Sequence, residues 1–83
     1  MTKPATRAEK AVVRAILKEL DRARKKFPRW PTSAVHAAAI VCEESGELIR
    51  AALQHSDESG ELNACDKEAI QTAAMCIRFL VRR

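Results

Sequence analysis

Apolar and polar positions follow a helical period in three stretches of this chain, with two breaks between them. In the first, Val12, Val13, Ile16, Leu17, Leu20, Ala23 and Phe27 recur every three or four residues, with Lys18, Asp21, Arg22 and Lys25 on the other side. That spacing predicts an amphipathic helix over about 6–26 with one buried stripe. Thr6-x-x-Glu9 at its start is a capping-box pattern, and Met1 to Ala5 before it read as frayed. Pro28 and Pro31 exclude a regular continuation, because each removes a backbone donor and restricts the residue before it.

Thr32 or Ser33 can cap a second helix, predicted over about 33–55. Its apolar face comprises Val35, Ala38, Cys42, Ile49 and Leu53, widened by Val41, Leu48 and Ala52. Ser56 to Asn63 is polar, contains Gly60 and reads as a loop. A third helix follows over about 65–82. Its main stripe is Ile70, Ala73, Ala74, Ile77, Leu80 and Val81, and Glu68, Gln71, Met75 and Phe79 form a second face. The expected fold is therefore all-α, a single domain over 1–83. A terminal helix that must bury two faces has too few partners in a three-helix chain, so the bundle is expected to be completed by oligomerisation.

Composition agrees with helices: the chain has no tyrosine, 4% aromatic residues and only two glycines. Apolar residues at 47% and charged residues at 31% describe a globular chain rather than a disordered one. The net charge is +4, concentrated in Arg22, Arg24, Lys25, Lys26 and Arg29 and again in Arg78, Arg82 and Arg83. Such clusters suit phosphate groups, or are solvated cations at helix C-termini. No recognition-helix pattern accompanies them, which argues against a nucleic-acid partner. Cys42, Cys65 and Cys76 are odd in number and lack CxxC spacing, and no apolar run approaches a membrane span. The expectation is a reduced, cytoplasmic chain with no membrane contact and no zinc site.

The chemistry concentrates in Glu43-Glu44-Ser45-Gly46-Glu47. At about 100° per residue, Glu44 and Glu47 share a face with Ala37, Ile40, Leu48 and Ala51 rather than with lysines and glutamines. Carboxylates beside apolar neighbours resist desolvation and repel one another. A divalent cation such as Mg²⁺ or Mn²⁺ would offset that; the plain alternative is a helix whose polar stripe is acidic. Gly46 inside the helix leaves room for a close neighbour. Glu68 and Gln71 repeat the same three-residue spacing on the third helix. If the two helices face each other, Glu44, Glu47 and Glu68 converge on one cation, with Glu43 as an outer ligand or as a base toward water. Trp30, between basic residues in the Pro-flanked linker, either stacks on a nucleobase or plugs one end of the core.

Glu43-Glu44-x-x-Glu47 followed by Glu68-x-x-Gln71 resembles the EExxE…ExxD motif of the MazG-like all-α nucleoside triphosphate pyrophosphohydrolases. Phe27-Pro28-x-Trp30-Pro31, His36-Ala37, Glu43-Glu44-Ser45-Gly46-Glu47-Leu48 and Glu68-Ala69-Ile70-Gln71-Thr72-Ala73-Ala74-Met75 resemble a compact, often phage-associated branch. The resemblance spans roughly residues 12–81 and implies a helical bundle working as a homodimer or homotetramer. It implies Mg²⁺-dependent hydrolysis of (deoxy)nucleoside triphosphates to monophosphate and pyrophosphate. Carried onto this chain, Glu44, Glu47 and Glu68 match metal-ligand positions, Glu43 matches the first motif acid, and Gln71 stands where the motif has Asp. Glutamine offers only a neutral carbonyl oxygen, so a catalytically inactive helical module binding a nucleotide or protein is the alternative reading. Trp30 is the expected contact for the base, and Lys67, Arg78 and Lys26 for the phosphates.

Overall fold

A computed structural model describes residues 3–57 and 62–81. It holds three helices: α1 (Arg7–Lys26), α2 (Ala34–Asp57) and α3 (Leu62–Leu80), with no strand among the described residues. The all-α expectation is met. α3 starts three residues earlier than the pattern suggested, and α2 runs two residues further. The expected loop core at 58–61 and the basic Arg82–Arg83 end lie outside the described residues, as do Met1 and Thr2.

The local signals act as their chemistry requires. The Thr6 hydroxyl accepts from Glu9 N at 3.0 Å while a Glu9 carboxylate oxygen accepts from Thr6 N at 2.7 Å, a complete capping box. α1 closes with Phe27 N donating to Ala23 O at 2.8 Å, directly before Pro28. Ser33, not Thr32, caps α2: its hydroxyl accepts from His36 N at 3.3 Å.

α3 is the central element. It packs along α2 and along the C-terminal half of α1, whereas no Cα atom of α1 comes within 8 Å of one in α2. Leu20 and Ala23 of α1 meet Ala74 and Met75 of α3 in the core, flanked by Ile16, Trp30, Ile40, Val41 and Ile77. This core is small, and no large side chain is fully buried. The radius of gyration is 14.3 Å, against about 12 Å for a compact domain of this length.

Because the backbones of α1 and α2 stay more than 8 Å apart, much of the apolar pattern remains outside. Val12, Val13 and Leu17 of α1 are each about half exposed, as is Phe27 at its end. On α2 the face expected to be buried is the outer one. Val35 is 81% exposed, and Ala38, Cys42, Ile49 and Leu53 are exposed with it. The face that packs on α3 is the one carrying Glu44, where Ala37 is 0% and Ala51 8% exposed. The physical reason is size: alanines let two helix backbones approach closely, so the small-residue face gives the tighter packing with Ala74. Leu80 of α3 and Val81 after it are exposed, while Met75 of the second face and Arg78 are buried.

Candidate functional site

The gap between α1 and α2 forms a cavity of about 530 Å³, floored by α3 and closed at one end by the Phe27–Pro31 linker. Trp30, Glu44, Gln71 and Arg78 line it, with Arg22 and Arg29. Sequence reasoning singled out the first four. It did not place Arg22 or Arg29 there, nor His36, although His36 stands eight residues before Glu44, within about 80° of it on the helix.

Each wall has a local cause. Arg78 is only 6% exposed, and its Nη2 donates to Phe27 O at 2.8 Å and more distantly to Arg29 O at 3.5 Å. Its guanidinium lies 4.7 Å from the centre of the Trp30 ring, a cation–π contact. The linker is thus held onto α3 by the free carbonyls at the end of α1. Burial, and then nearby Arg24, push the Arg78 pKa below its ordinary value, but an arginine remains charged. No carboxylate pairs with it among the described residues. Trp30 Nε1 is buried with no hydrogen-bond partner among the described residues. The tryptophan therefore plugs the core and lines the cavity at once, with one ring face covered by Arg78.

On the opposite wall, burial pushes the Glu44 carboxyl above the usual range, and the negative charges of Glu68, Glu43, Glu47 and Glu19 push it further. Among the described residues no ion pair reaches Glu44. Glu19, on α1 itself, is held below the usual range by its hydrogen bonds from Arg22, at 2.9 Å to Nε and 2.6 Å to Nη2. Glu47 does not line the cavity; it is exposed, 3.8 Å from Arg50. Glu43 is exposed, and Glu68 is half-buried on α3.

The expected three-carboxylate cage does not form: among the described residues no three His, Cys, Asp or Glu side chains gather closely enough to hold a metal ion. What remains is Glu44 with Glu68 near enough for its charge to raise the Glu44 pKa, both oxygen donors. That pair fits Mg²⁺ in one specific way, since Mg²⁺ is commonly held by one or two carboxylates together with substrate phosphates. Gln71 lines this cavity and a neighbouring one of about 680 Å³ that also carries Lys67. Lys26 lies in neither lining, with its ammonium 5.5 Å from the Phe27 ring centre. No helix of the described chain is long and apolar enough to cross a membrane.

Compared with family models, with curated proteins and with solved structures, the chain matches none.

Proposed function

We propose that this chain is a Mg²⁺-dependent nucleoside triphosphate pyrophosphohydrolase of MazG-like type, converting (d)NTP to (d)NMP and pyrophosphate in the cytoplasm as a homodimer or homotetramer. The observation that carries the reading is the charge layout of one cavity. An acidic wall with an uncompensated, perturbed Glu44 faces a basic wall of Arg22, Arg29 and Arg78, with an aromatic ring between them. Opposed charge with an aromatic floor suits a ligand that is both a polyanion and a ring.

Glu44 and Glu68 would hold the metal, which when bound neutralises phosphate charge and polarises the phosphoryl oxygens. The chain's own groups do the rest. Arg29, on the linker, and Arg22 orient the phosphates. Trp30, which lines the cavity, lies against the base. Glu43, exposed beside Glu44, accepts the proton of the attacking water. Gln71 orients a ligand through its amide without adding charge.

The test is pyrophosphate release from a panel of dNTPs and NTPs, with and without Mg²⁺ or Mn²⁺. Metal-dependent release that is lost in Glu44→Gln and Glu68→Gln supports the enzyme. The second reading, an inactive module that binds a nucleotide or protein, is favoured by the missing third carboxylate and by Gln71. Nucleotide binding by calorimetry without any release would establish it instead.

A further inference from the structure

The N-terminal half of α1 is a helix with almost nothing packed on it. Every residue from Lys3 to Arg14 is exposed, and Ala15 is the first with partial cover. The capping box of Thr6 and Glu9 closes its first turn in place of tertiary contacts. α1 carries eight basic and three acidic side chains. Each acid is engaged locally: Glu9 in the capping box, Glu19 with Arg22 at 2.6 Å, and Asp21 with Lys25 at 3.0 Å. Arg7, Lys10, Arg14 and Lys18 are exposed, and among the described residues no carboxylate pairs with them. At about 100° per residue these four fall within about 80° of one another, opposite the stripe of Ile16, Leu20 and Ala23 that packs in the core. The row covers roughly 16 Å of helix axis. Ala11, the paired Arg22 and the Asp21–Lys25 pair share its face.

We infer that this row of cations binds the phosphate backbone of a nucleic-acid duplex without reading its sequence. A duplex carries a phosphate about every 3.4 Å along each strand, so a rigid row of four cations meets several phosphates and releases their counterions. Base reading needs a recognition helix, whose pattern the sequence lacks; phosphate contacts need none. The face has no aromatic side chain, which single-strand binders use as a stacking platform. A protein partner would seat an apolar or aromatic anchor at the centre of its contact, and this face offers nothing larger than Ala11. A lipid surface takes the apolar side of an amphipathic helix, and that side of α1 is committed to the core through Ile16, Leu20 and Ala23. None of the four cations lines the cavity of the proposed active site. Duplex binding is therefore a property beyond nucleotide turnover and independent of it.

The experiment is fluorescence anisotropy of a labelled DNA duplex of about 20 base pairs, titrated with the chain at salt from about 50 to about 200 mM. Helicity by circular dichroism is the folding control. The logarithm of the association constant is expected to fall linearly with the logarithm of salt, with a slope of about −3.6 for four phosphate contacts. Lys10→Gln, Arg14→Gln and Lys18→Gln, at unchanged helicity, are each expected to weaken binding and to make the slope shallower by about 0.9. Arg50→Gln removes the same charge from an exposed position on α2 and is expected to leave affinity and slope unchanged. Duplexes of unrelated sequence are expected to bind alike. No binding at the lowest salt, a loss in Arg50→Gln equal to that in Lys10→Gln, or a strong preference for one sequence overturns the inference. Binding to vesicles of phosphatidylserine and phosphatidylcholine in place of the duplex assigns the row to a lipid surface and overturns it as well. Pyrophosphate release is read separately, so failure of the hydrolase reading leaves this result standing.

Discussion

The Arg78 guanidinium stacks 4.7 Å from the centre of the Trp30 indole while its Nη2 holds the Phe27 carbonyl at 2.8 Å. One side chain near the end of α3 thereby fixes the linker that leaves α1, across 51 positions of sequence. The contact has no carboxylate in it. Its strength comes from a charged donor on backbone oxygens and from the face of an aromatic ring, both in a largely dry site.

Removing that side chain should therefore unfasten the linker. Arg78→Ala loses a charge-assisted hydrogen bond and a cation–π contact and leaves a gap, a loss of about 2–4 kcal/mol. Arg78→Lys keeps the charge but not the planar fork, and should lose about half of that. Urea unfolding followed by Trp30 fluorescence measures both. A red-shifted native emission is expected in Arg78→Ala, because the indole gains water. An Arg78→Lys variant as stable as the parent would show that the stacked guanidinium plane contributes nothing.

Glu44 makes stability depend on pH in an unusual direction. Its folded-state pKa is raised, by burial first and by neighbouring carboxylates second, so the folded chain binds its proton more tightly than the unfolded one. Stability from this group is present at low pH and falls as pH rises from the ordinary carboxylate value through the raised one. Glu19 has the opposite sign: its pKa is lowered by Arg22, so its contribution is present above the ordinary value and is lost as pH falls through the folded one. Glu44→Gln should be more stable than the parent at neutral pH, with the gap closing in acid. Under the hydrolase reading the same variant loses turnover, so stability and activity move apart. Thermal midpoints from acid to neutral pH test this, and curves that stay parallel refute it.

Gln71 should be the adjustable position. Gln71→Asp adds one carboxylate to a wall that already has Glu44 and Glu68 nearby. Without metal the extra charge worsens the repulsion and lowers the melting temperature. With Mg²⁺ the third carboxylate raises affinity and recovers the loss by linkage. Melting curves across a Mg²⁺ titration should cross, the variant lying below the parent without metal and gaining more at saturation. A shift that is independent of Mg²⁺ would remove Gln71 from the candidate metal site.

The sequence carried the three helices because each is marked locally: Thr6 with Glu9 at one end, Pro28 and Pro31 at a break, Ser33 at a start. It carried the adjacency of α2 and α3 because a short connection makes consecutive helices neighbours. It did not carry which face of α2 packs inward. Val35, Ile49 and Leu53 are the more hydrophobic set, yet Ala37 and Ala51 are buried. Periodicity measures hydrophobicity and is blind to how closely two backbones can approach. Arg78 was missed as an anchor for a related reason. A buried arginine looks like any arginine until the free carbonyls of a distant linker are seen beside it. Arg22 and Arg29 escaped as cavity residues because they come from elements that meet α2 only across the gap.

Gly46 sits in the interior of α2 without a steric reason for being glycine. A Cβ built there meets nothing within 4 Å, so no neighbour among the described residues requires it. In a helix interior glycine costs about 1 kcal/mol relative to alanine, through backbone entropy in the unfolded state. Gly46→Ala should therefore stabilise the folded chain by roughly that amount. Urea unfolding of the two proteins measures the difference. A higher midpoint with an unchanged slope is the expected result, because only the unfolded state is affected. A lowered midpoint would mean that the glycine meets a demand from outside the described residues.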